Sequence, residues 1–106
     1  MQMLESIYAI PLSTGAQKFS IRLGNNALQI RLVWREAEGG GWFIDLSDSD
    51  GNPLLAGLPL RCGHDLLEEH AHLGLGKLTV SLDGESNGDP SYADMGRRMA
   101  LYWSPQ

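Results

Sequence analysis

The stretch Gln17–Glu36, QKFSIRLGNNALQIRLVWRE, decides the fold class. In its first part Phe19, Ile21 and Leu23 alternate with Lys18, Ser20 and Arg22. In its second part Leu28, Ile30, Leu32 and Trp34 alternate with Gln29, Arg31, Val33 and Arg35. Successive side chains of a strand point to opposite faces, so strict alternation with one apolar set describes a half-buried strand. Between the runs stands Gly24-Asn25-Asn26, residue types that tolerate positive φ in a tight turn. The stretch therefore predicts a hairpin of two antiparallel strands with one apolar face.

The same period recurs on both sides of it. Ser6–Leu12 (SIYAIPL) is a strand candidate before the hairpin. After the loop Ala37–Gly41 (AEGGG), Trp42, Ile44 and Leu46 alternate with Phe43, Asp45 and Ser47, which turns Trp34 and Trp42 both toward the core. A turn rich in Asp and Ser leads into Pro53–Leu60, an apolar run interrupted by Pro53, Gly57 and Pro59. Proline cannot donate to a ladder, so this run is an edge strand or an irregular extended segment. Leu78, Val80 and Leu82 form a further inward set, and Met99, Leu101 and Trp103 a last one. His64–Gly74 (HDLLEEHAHLG) is the one plausible helix, two turns at most. His64 or Asp65 would cap it, Leu66, Leu67 and Ala71 give it an apolar side, and Gly74 and Gly76 end it. The polar loop Glu85–Gly96 leaves room for one helical turn after Pro90. Six or seven short strands predict a mainly β fold: a compact antiparallel β-sandwich or a partly open β-barrel with one short helix. Periodicity does not encode strand order, so both architectures stay open.

Bulk properties narrow the function classes. A chain of 106 residues suits a single β-rich domain, 1–106. At this size folding buries roughly 65% of the unfolded surface, so neither a metal nor a disulfide is needed to hold a core. With 42% hydrophobic and 20% charged residues the composition is that of a globular protein. The net charge of −5 argues against specific nucleic-acid binding, which needs clustered cations, and Arg97-Arg98 is the single adjacent basic pair. Cys62 is the lone cysteine and has no intrachain partner. The start MQMLESIYAIPL lacks a basic n-region and is broken by Glu5 and Pro11, unlike a signal peptide. No run approaches the roughly 18 apolar residues of a membrane span, so no membrane association is expected and the default compartment is a cytoplasm.

Candidate chemical sites fail on spacing. Asp45–Leu60 (DLSDSDGNPLLAGLPL) resembles the front of a calcium loop. Such a loop needs oxygen ligands at its first, third and fifth positions, Gly at the sixth and Glu at the twelfth. With Gly51 in the Gly position, Asp48 and Asp50 fit, but Leu46 and Gly57 occupy the first and last places. Asp45 is one register off, so the stretch is expected to be a turn with Gly51 left-handed. His70 and His72, with His64 or Glu69, offer imidazoles to a metal, but residues two apart do not share a helix face. Cys62 beside His64 lacks a base-and-orienter geometry, and a small buried Cys is the better reading. Asp83, Glu85 and Asp89 lie in a Gly- and Asn-rich loop where solvated turn chemistry is the rule. Gly74 and Gly76 are not followed by the Lys-Ser/Thr of a phosphate loop. No catalytic, cofactor-binding or metal-ligating residue is therefore expected, and the chain reads as no enzyme. Binding and assembly remain, for which small β domains with open edges are suited.

The order of motifs is more informative than any one of them. The opening Ile10-Pro11-Leu12, then GGGWFIDLSDSDGNPLLAGLPL, then DLLEEHAHLGLGKL, then Asp89-Pro90-Ser91-Tyr92 before the final ALYW, resembles the baseplate plug family of contractile-tailed bacteriophages. The resemblance runs from about Ile7 to Tyr102. It implies a structural virion protein of a phage or prophage tail, a plug or hub-associated component of the baseplate acting by protein–protein contacts. The implied partners are other tail and baseplate proteins, among them hub and tail tube, with a homo-oligomer possible in the particle. The implied location is the virion tail baseplate, after synthesis in the bacterial host cytoplasm. The alternative is a small ligand-binding β module, for example one that holds carbohydrate on exposed Trp or Tyr.

Overall fold

The computed structural model describes residues 7–36, 40–63, 65–82 and 89–105. The hairpin forms as its alternation demands. Strand β2 (Gln17–Leu23) pairs antiparallel with β3 (Asn26–Arg35), from Leu23↔Asn26 at the turn to Gln17↔Leu32. Gly24 takes φ +65°, the turn conformation that a β-carbon would oppose. Strand β4 (Gly41–Asp48) adds to β3 with Ile30↔Leu46 and Leu32↔Ile44 in register. Strand β5 (Pro53–Pro59) closes the far side, giving a four-stranded sheet in the order β2-β3-β4-β5. As its prolines required, β5 lies at an edge.

The other strands form a separate sheet. Strand β7 (Met99–Ser104) lies between β1 (Tyr8–Ile10) and β6 (Lys77–Leu82), antiparallel to both. Among the described residues two separate antiparallel sheets share one apolar interior and no barrel closes, which resolves the architecture as a sandwich. The first sheet supplies Leu28, Ile30, Leu32, Trp42, Ile44 and Leu46 to that interior, and the second supplies Leu78, Val80, Leu101 and Trp103. Six of the inward aliphatic side chains are at 0% exposure: Ile30, Leu32, Ile44, Leu46, Leu78 and Leu101. Full burial of one such side chain is worth about 1.5–3 kcal/mol, which is why the period-two pattern fixes the register. Trp103 bridges the layers, with its ring edge 3.4 Å from where a β-carbon on Gly24 would stand, and its Nε1 donates to the carbonyl of Leu75 at 2.6 Å.

The expected helix takes another form. Residues Glu68–Leu73 make 3-10 turns with a kink at His70 and no buried side chain. Leu66 and Leu67, the intended apolar side, precede these turns and are buried ahead of them, while Ala71 is exposed. Asp65 does not cap a helix; its Oδ1 accepts from the amides of Leu67 and Leu78, at 2.9 and 3.0 Å. The segment is thus tied to β6, and a run this short lacks the turns an α-helix needs to offset its nucleation. Gly74 ends it in the left-handed conformation, as expected. A second 3-10 turn, Tyr92–Asp94, follows Pro90.

Candidate functional site

The acidic stretch from Asp45 resolves into two backbone devices. At its tip the Asp48 carboxylate accepts from the amides of Asp50 and Asn52 at 3.0 and 2.9 Å, and from Asn52 Nδ2 at 3.1 Å. Gly51 completes the turn at φ +86°. These bonds, led by the Asn52 amide, hold the Asp48 carboxyl below the ordinary carboxylate range. Asp45 lies away from this turn on the outer face of the sheet. Leu58 pairs with Ile44 and Leu55 with Leu46, so Ala56 and Gly57 together oppose Asp45 as a bulge. Gly57 has φ +71°, and its amide donates to Asp45 Oδ1 at 2.7 Å. Asp45 therefore answers the amide that the bulge takes out of the ladder.

The Asp89-Pro90-Ser91-Tyr92 motif is a docking loop within the fold. Tyr92 stacks on Trp42 with ring centroids 5.5 Å apart and 12° between planes, and meets Trp34 edge-on. Trp34 and Trp42 are direct cross-strand partners, also in an edge-on contact. Trp42 is buried, and its Nε1 donates to the Ser91 carbonyl at 2.9 Å. Trp34 is only half-buried and its indole N–H donates to Glu36, so the expectation of two coreward tryptophans holds fully for Trp42 alone. Trp34 stands near the strand end, where the 3-10 turn at Tyr92–Asp94 gives it Tyr92 for cover. Buried Asp94 closes a capping box, accepting from the Ser91 amide at 2.7 Å, and Arg98 approaches its other oxygen at 3.5 Å.

The remaining candidates separate. His70 and His72 have ring centroids 6.2 Å apart at the helical segment, with His72 exposed. Among the described residues no group of three or more His, Cys, Asp or Glu side chains is arranged to hold a metal ion. Cys62 is half-buried against the core; burial, with Asp89 and Asp94 nearby, pushes its thiol pKa up. Asp89 is exposed, whereas His64, Asp83 and Glu85 lie outside the described residues. Gly76 precedes β6, and exposed Arg97 and Arg98 precede β7. Among the described residues no helix is long and apolar enough to cross a membrane.

One flank was missed by sequence reading. Ile7 and Tyr8, at the start of β1, are 65% and 53% exposed. Tyr8 stacks on Trp103 at 5.5 Å. A groove of about 460 Å³ runs between β1 and the end of β2, lined chiefly by Tyr8, Ile10, Ile21, Leu23 and Trp103, with Arg22 on its rim. Both strands are sheet edges. Period-two patterning gave the faces of these strands, but not which edges the two sheets leave open.

The chain matches the protein-family model described as "Cyanophage baseplate Pam3 plug gp18" over residues 7–106. Comparison with curated proteins gives none.

Proposed function

The chain belongs to the cyanophage baseplate plug family, and on that premise we propose that it is a single-domain structural protein of a phage or prophage tail. In this reading it is a plug, associated with the hub of the baseplate, that acts by shape and protein contacts without turnover. It uses no cofactor and meets hub and tail-tube proteins and other copies of itself. It accumulates in the host cytoplasm before assembly. The observation that carries the proposal is the extent of the family match, which takes in both sheets and every described turn. The geometry supports it. Two of the three aspartates of the calcium-like stretch, Asp45 and Asp48, are spent on backbone amides of the fold itself, and Asp94 is used in the same way.

The carbohydrate-binding alternative needs an exposed aromatic platform. Trp42 and Trp103 are buried and Trp34 is half-buried, and the exposed rings among the described residues, Tyr8 and Tyr92, each have one face taken up by a buried tryptophan. Purified particles test the proposal. Gradient-purified tails, analysed by mass spectrometry and by electron microscopy with a labelled plug, are expected to carry the protein at the baseplate. Intact, infectious particles that lack it, with the protein recovered only free in the cytosol, would refute the assignment.

A further inference from the structure

The outer face of β2 and β3 is basic in an acidic protein. Lys18, Arg22, Arg31 and Arg35 all project from it, four of the 8 basic residues of the chain. They fall into cross-strand rows. One row runs Asp45 on β4, Arg31 on β3 and Lys18 on β2, each directly opposite the next. Arg31 approaches Asp45 at 3.9 Å, and Arg35 lies over the Phe43 ring at 4.4 Å. Lys18 faces Arg31, a like-charge neighbour, and no carboxylate is within ion-pair distance of it among the described residues. Like charges directly opposite one another destabilise a sheet, and opposite charges support it. The row thus lacks an acid on the far side of Lys18. The next row, Ser20 and Gln29, is neutral, and the one after it begins with Arg22 opposite Ala27.

Among the described residues the far side of Lys18 is a strand edge with no neighbouring strand. β2 is seven residues long and regular in register throughout. It lacks the prolines and the bulge that guard the opposite edge at β5. Every second residue of such an edge directs its backbone N–H and C=O outward. Beside it lies the apolar groove under Ile21, Leu23 and Trp103. We propose that β2 is a strand-addition site for an extended segment of a partner protein, in which two carboxylates flank an apolar–polar–apolar triplet. The carboxylates pair with Lys18 and Arg22, the central polar residue faces Ser20, and the apolar pair enters the groove. Main-chain bonds hold the segment and the alternate side chains select it. The edge strands of a second copy do not fit this pattern, because β1, β2, β5 and β6 contain no carboxylate. The proposal names the surface on which the contacts of the plug reading would run.

The test needs only the full chain and two synthetic nonapeptides. One carries Glu-Ile-Thr-Leu-Glu at its centre and the other Lys-Ile-Thr-Leu-Lys. Fluorescence anisotropy is expected to show binding of the first and at least about tenfold weaker binding of the second, the charge preference reversing in the double variant K18E/R22E. Circular dichroism checks that the variant is folded, and amide exchange is expected to slow along β2 on binding. Equal affinity for both peptides overturns the proposal, as does protection at β5 or β6 instead of β2. Absence of binding up to about millimolar peptide, or displacement of the acidic peptide by double-stranded DNA, also overturns it. These outcomes do not depend on the virion. A failed peptide test leaves the baseplate assignment standing, and a protein missing from tails leaves the peptide result standing.

Discussion

Gly96 packs so closely on Ser13 that a β-carbon there would stand 2.6 Å from the Ser13 carbonyl carbon and oxygen, and 2.8 Å from the Thr14 amide nitrogen. The contact joins the loop before β7 to the connection between β1 and β2. Gly96 also has φ +74°, so two independent penalties meet at one residue. Replacement by alanine is expected to cost about 2–5 kcal/mol, since backbone on both sides leaves nothing flexible to give way. Gly51 is the control. Its φ is +86° with nothing within 4 Å, so Gly51→Ala is expected to cost only about 1 kcal/mol. Urea denaturation of both variants checks the difference. Equal losses would show that Ser13 is no obstacle.

The stack of Tyr92 on Trp42 makes a second prediction. Tyr92 is 53% exposed, and its ring contact adds to what its partial burial contributes. Tyr92→Leu keeps much of the apolar area and removes the stack, for an expected loss of about 0.5–1.5 kcal/mol. For a domain of this size each kcal/mol lowers Tm by about 4–8 °C. Near-ultraviolet circular dichroism is expected to lose intensity in the tryptophan region, because Trp42 changes surroundings. Trp42→Ala, which empties a buried site and frees the Ser91 carbonyl, is expected to cost about 3–5 kcal/mol.

The turn at Asp48 makes stability depend on acid. Its carboxyl titrates below the ordinary carboxylate range because the folded turn binds the charged form through Asn52 and Asp50. A lowered folded pKa contributes stability above the unfolded value and loses it as pH falls through the folded one. Wild type is therefore expected to exceed Asp48→Asn in Tm at neutral pH, and the gap is expected to close as pH falls below about 4. Parallel thermal melts between neutral pH and acid check the sign. A gap that stays constant with pH would remove the charge of Asp48 from the account.

Local alternation made the strands readable, and distant pairing hid the rest. The β2–β3 hairpin, the inward set of β4 and the edge position of β5 follow from side-chain period and proline chemistry. That β1 leaves its neighbour in sequence to pair with β7 does not, because the two are about ninety residues apart and both are short. Leu66 and Leu67 suggested a helix face, but their burial is met by a turn bonded to β6. Asp45 looked like a misplaced ligand. Its partner is the Gly57 amide twelve residues on, a bond that exists only because a bulge turns that amide outward. The close approach of Gly96 to Ser13 is likewise a tertiary fact, visible in the sequence only as one more glycine.

Cys62 gives the last prediction. Burial disfavours its thiolate, and the negative charges of Asp89 and Asp94 disfavour it further, so its pKa is raised above that of an ordinary thiol. The thiolate is the reactive form, so native Cys62 is expected to react with a disulfide reagent more slowly than glutathione at pH 8. Its pH–rate profile is expected to lie at higher pH. Asp89→Asn removes the larger of the two charge effects and is expected to move the profile part of the way back, leaving the burial contribution. Urea is expected to bring the rate to that of an ordinary thiol. A native rate that matches or exceeds glutathione would mean an activated cysteine, and would reopen the question of chemistry at this end of the fold.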